Sequence, residues 1–83
     1  MKDKKKLLTE LVEIAKLLGI TVRFENTNAR GGLCRVNDTY YIIIDKKASI
    51  EYKINILVNS LKRFDLSKVH LKPKLRELIE EFE

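Results

Sequence analysis

The chain has 83 residues, of which 45% are apolar and 35% charged, with only three glycines and one proline. That is the composition of one small folded domain and not of a linker or disordered tail. A single cysteine excludes an internal disulfide, one cysteine with one histidine excludes the usual zinc ligand sets, and no apolar run approaches the roughly 18 residues of a membrane span. The formal charge of +5 leaves a polyanionic partner open.

The opening "MKDKKK" is basic like the start of a signal peptide, but charges then alternate with leucine and no continuous apolar segment follows, so a soluble cytoplasmic protein is expected. Over Lys4–Leu18, Leu7, Leu8, Leu11, Val12, Ile14, Ala15 and Leu18 recur at spacings of three and four, which predicts an amphipathic helix. Gly19 supplies its stop, with Ile20 folding back on the last turn. "ITVRFEN" switches to a period of two, a half-buried strand with Ile20, Val22 and Phe24 inward and Thr21, Arg23 and Glu25 outward.

Asn26 to Gly32 is turn vocabulary, which predicts a hairpin joining this strand to the next. There Cys34 and Val36 share one face and Leu33 and Arg35 the other, with Cys34 expected to pack inward and Arg35 to project outward. After a tight connection at Asn37-Asp38-Thr39, "YYIIID" reads as a central strand covered substantially on both faces. Either this strand lies between the other two, or the second strand does.

Ser49 is the expected N-cap of a second helix, with Glu51 near the positive end of its dipole. Ile50, Ile54, Leu57, Leu61 and Phe64 form the apolar stripe, and Lys62 and Arg63 fall in the last turn. "DLSKVHLK" connects to a final helix with Pro73 in its first turn and Leu75, Leu78, Ile79 and Phe82 on its apolar side. The expected fold is α+β, a two-layer sandwich of order α-β-β-β-α-α with a small, mainly antiparallel three-stranded sheet, in one domain over residues 1–83. The second sheet face is of mixed polarity, so the last helix or another subunit should cover it.

Little in the chain points to catalysis. Cys34 has no adjacent histidine to form its thiolate, and the only histidine, His70, stands in a connector. Gly31-Gly32 precedes a strand instead of a helix and has no phosphate-loop spacing, so a turn needing positive backbone angles explains it. No cofactor and no metal are expected. Glu77, Glu80, Glu81 and Glu83 read as a solvated helix face.

Arg23, Arg30, Arg35, Lys46 and Lys47 are the candidate binding residues. Arg23, Arg30 and Arg35 could contact the anionic groups of a ligand at the Gly31-Gly32 turn, and Arg30, Arg35, Lys46 and Lys47 with Lys2, Lys4, Lys5 and Lys6 could make a basic edge for nucleic acid, with Tyr40 or Tyr41 as a stacking ring.

The segments "LGITVRFEN", "GGLCRV", "YYIIIDKKAS" and "LKPKLRELIE" together resemble a group of short bacterial proteins of unassigned function. That resemblance implies a self-contained small protein and no particular activity. The α-β-β-β-α order also looks like the minimal core of zinc-dependent peptidases, whose helix after the sheet carries HExxH. The corresponding "ASIEYKINILVNSLKRF" lacks both histidines, so no catalytic residue carries over. The functional expectation is a non-enzymatic binding or protein-interaction module, with a protein partner or a homo-oligomer. A nucleic-acid-associated protein is the alternative.

Overall fold

A computed structural model describes residues 4–26, 32–67 and 69–81. Lys2, Arg30, Gly31 and Phe82, and most of the turn expected between Asn26 and Gly32, lie outside the described residues. The elements are α1 (Lys4–Leu17), β1 (Thr21–Glu25), β2 (Gly32–Val36), β3 (Thr39–Asp45), α2 (Ile50–Leu61) and α3 (Pro73–Glu81). This is the expected α-β-β-β-α-α order in a two-layer α+β arrangement.

Both ends anticipated from capping chemistry are present. At the end of α1, Gly19 takes φ +81°, its amide donates to the Lys16 carbonyl at 2.9 Å, and the Ile20 amide reaches the Ala15 carbonyl at 2.9 Å. This paired closure satisfies two carbonyls that the helix leaves open, and only a residue without a side chain adopts that φ cheaply. At the start of α2, the Tyr52 amide donates to the Ser49 hydroxyl at 3.1 Å.

The end of α2 differs from expectation. The helix stops at Leu61 with Lys62 as its C-cap, whose amide still reaches the Val58 carbonyl, and Arg63 and Phe64 follow in tightened turns, with the Arg63 amide on the Ser60 carbonyl and the Phe64 amide on that of Leu61. The tightening lets Phe64 turn back on the sheet and meet the Tyr40 ring.

The sheet order is β1-β3-β2, so β3 is central as one of the two expected arrangements had it. The hairpin expected between the first two strands does not form, and the sheet is mixed instead of mainly antiparallel. β1 pairs with β3 in parallel, from Thr21 opposite Tyr41 to Glu25 opposite Asp45, while β2 pairs with β3 antiparallel, from Gly32 opposite Ile43 to Val36 opposite Thr39. The two-residue link Asn37-Asp38, with Asn37 at φ +57°, favours pairing of the strands it joins, because so short a loop costs little closure entropy. β1 ends and β2 begins at the same end of the sheet, two strand spacings apart.

Register decides the faces. Val22, Ile42 and Leu33 are aligned across the three strands, and with Phe24, Tyr40 and Ile44 they face the helices. Ile42 and Ile44 are fully buried there, in one core with Leu11, Ile14 and Ala15 of α1 and Ile54, Leu57, Val58 and Leu61 of α2. Burying each such aliphatic side chain contributes about 1.5–3 kcal/mol. Val69, Leu71, Leu75 and Ile79 join this core as α3 packs on α2.

One sequence expectation fails on the opposite face. "YYIIID" buries Ile42 and Ile44 completely on the helix side, while Tyr41 and Ile43 on the other side are partly buried. α3 does not close over them, because it packs against α2 among the helices. Cys34, expected inward, is exposed on this open face opposite Tyr41, and Arg35 belongs to the helix-side face. Alternation within β2 separates Leu33 from Cys34 without saying which is inward, and the larger apolar surface of Leu33 takes the core side.

Candidate interaction surface

The sheet order leaves β1 and β2 as edges, so the outer side of β2 carries backbone N–H and C=O groups with no strand partner among the described residues. Beside that edge α2 overhangs the sheet, and the two elements enclose a groove of about 340 Å³ lined by Gly32, Leu33, Tyr52, Ile56, Asn59, Ser60 and Arg63.

The α2 contribution follows from helical spacing. Tyr52, Ile56 and Asn59 are separated by four and three residues, so they form one stripe of α2 beside the buried stripe of Ile54, Leu57 and Leu61, and Arg63 follows in the turn after the helix. Gly32, at φ +132°, opens one wall, where a side chain would be strained by the backbone angle alone. Leu33 and Ile56 are half-buried, and Tyr52 is 37% exposed, so the floor is apolar and only partly covered. Of the polar lining groups, Ser60 is buried and the Asn59 amide donates to Asn55 Oδ1 at 2.7 Å. The exposed Arg63 side chain has no ion-pair or hydrogen-bond partner among the described residues, and no carboxylate lines the groove.

The residues singled out from sequence do not converge. Arg23 stands on the open sheet face with its Nε 2.7 Å from the Glu25 carboxylate. Arg35 lies at the other end of the sheet, where its Nε donates to the Asn37 carbonyl at 2.9 Å, its Nη2 sits 3.4 Å from Asp38 Oδ1, and its guanidinium lies 5.8 Å from the Tyr40 ring centre. Lys46 and Lys47 are exposed just past β3. Six residue steps lead from Tyr40 to Lys46, about 20 Å at 3.3 Å per residue, so Arg35 and the lysine pair make no common patch.

A different grouping forms at the Lys46 end. Lys4 Nζ contacts Glu51 Oε2 at 2.6 Å, which brings the start of α1 to the start of α2, and so Lys4 and Lys5 to the same end as Lys46 and Lys47. The hydrogen bond from the Lys4 ammonium, then one from the Glu51 backbone and the Lys4 charge, hold the Glu51 carboxyl below the usual glutamate range. Hydrogen bonding from Ser67, including its amide to Asp65 Oδ1 at 3.0 Å, does the same for Asp65.

His70 is exposed, and Glu80 lies 4.0 Å from Arg76 one turn earlier on α3. Among the described residues no group of three or more His, Cys, Asp or Glu could hold a metal ion, and no helix is long and apolar enough to cross a membrane.

The groove residues Tyr52, Ile56, Asn59 and Arg63 were not singled out from sequence. Their 4-3-4 spacing was visible, but its partner, the β2 edge, depends on a strand order that sequence left open. A scan against protein-family models, a search of curated proteins and a search of solved structures each found no match to this chain.

Proposed function

We propose that the protein is a small interaction module, without a catalytic step of its own, whose working surface is the β2 side of the molecule. The observation that carries this reading is the partly apolar groove set beside a strand edge that has no strand partner among the described residues. Main-chain groups on such an edge bind an incoming segment, while adjacent pockets select its side chains.

Self-association through the open sheet face is the weaker form of the same idea. Three strands about 4.8 Å apart and five paired residues long present roughly 15 by 17 Å, well short of the ~800 Å² per partner of a stable interface. Selection of a random eight-residue peptide display library on the immobilised protein tests the reading. Enriched peptides should shift the amide resonances of Leu33 to Val36, Ile56 and Asn59. No enrichment over the bare support, or shifts confined to other surfaces, would remove it.

The second reading, a polyanion-binding protein, is favoured by one observation, the gathering of Lys4, Lys5, Lys46 and Lys47 at one end.

A further inference from the structure

We propose that the groove between α2 and β2 takes an extended peptide which adds to β2 as a strand and presents an acidic side chain to Arg63. This rests on the interaction reading above and names the chemistry of the partner.

Backbone geometry fixes the mode of binding. A strand laid along Gly32–Val36 would send alternate side chains to the helix side, into the groove, and the others to the open face beside Cys34 and Val36. A groove of about 340 Å³ lies in the size range of small-ligand pockets, enough for an apolar side chain on Leu33 and Ile56 with a second side chain beside it.

Charge fixes the identity of that second side chain. Among the described residues Arg63 is the one lysine or arginine lining the groove, its side chain has no partner there, and none of the other polar side chains, Tyr52, Asn59 and Ser60, is a carboxylate or a cation. A guanidinium in such a setting selects a carboxylate, which it can grip by two parallel bonds. Because side chains two or four residues apart share a strand face, the recognised pattern is an aliphatic residue with Asp or Glu two or four positions away.

The same charge argues against a second copy as occupant. Pairing β2 with its twin would bring no carboxylate to Arg63, because Gly32–Val36 contains neither Asp nor Glu.

The test uses peptides enriched from the display library on the full chain, measured by fluorescence anisotropy. Three changes are compared: Glu or Asp to the amide in the peptide, Arg63→Gln in the protein, and N-methylation of alternate peptide amides. The expected result is a loss of about tenfold for either charge change alone, with little further loss when they are combined, and abolished binding for one N-methyl register only. A thermal melt of R63Q unchanged from the parent shows that the fold is intact.

Peptides that bind equally well as amides, or to R63Q, overturn the carboxylate assignment while leaving the interaction reading standing. Indifference to N-methylation in both registers overturns strand addition. A concentration-dependent dimer that the peptide dissociates would place a second copy in the groove and overturn the proposal. Failure of the library to enrich at all overturns both readings together.

Discussion

The Phe64 ring meets the Tyr40 ring edge-on, with centroids 5.0 Å apart and planes at 88°, and so ties the turn after α2 to the central strand. On the same Tyr40 ring lies the Arg35 guanidinium, 5.8 Å away. Aromatic pairs in this geometry add about 0.5–1.5 kcal/mol beyond their buried area.

Phe64→Ala is therefore expected to cost about 2–3 kcal/mol, below the full cost of a completely buried phenylalanine because Phe64 is only partly covered. Arg35→Ala should cost less than about 1 kcal/mol, since its contacts are exposed. Urea unfolding of both variants measures this. An equal cost for the two would refute the ranking.

Glu51 gives a pH signature. Its folded carboxyl titrates below its unfolded value, so its contribution to stability is complete above the unfolded value, about 4.3 for glutamate, and is lost as pH falls through the lower folded value. An NMR titration should place the Glu51 midpoint below the unfolded value, and Lys4→Met should raise it, the Glu51 backbone hydrogen bond keeping part of the lowering. A midpoint indifferent to Lys4→Met would mean that the 2.6 Å contact does not persist in solution.

Cys34 reports on the open face. Because it is exposed there, a thiol reagent such as 5,5′-dithiobis(2-nitrobenzoate) should modify it stoichiometrically in the native protein, and Cys34→Ser should change stability by less than about 0.5 kcal/mol. Labelling that slows steeply as protein concentration rises would instead reveal a second copy covering Tyr41, Ile43 and Val36.

Nucleic-acid binding, if present, should follow the lysine end. Single- and double-stranded probes are expected to bind weakly, with the reversal K46E/K47E removing the affinity and R35E leaving it unchanged, since Arg35 is already engaged by Asp38 and Asn37. Anisotropy at several salt concentrations checks this. Loss of binding in R35E with retention in K46E/K47E would restore the arginine as the contact.

Local chemistry was legible in the sequence wherever a few neighbouring residues settle the matter. The Gly19 closure, the Ser49 cap, the period of each element and the chain order all come from interactions within one or two turns of the chain. Apart from the early end of α2, the missed features are relations between distant segments. Leu33 and Cys34 alternate in either orientation, and only the alignment of Leu33 with Ile42 turns the cysteine to solvent. Pairing of β1 with β3 instead of β2 replaced the expected hairpin and made β2 an edge. That edge, beside Arg63 and the Tyr52, Ile56 and Asn59 stripe, created the groove. Periodicity determines which residues share a face; which face is buried, and what lies beside each edge, is decided by the packing that removes the most apolar surface from water.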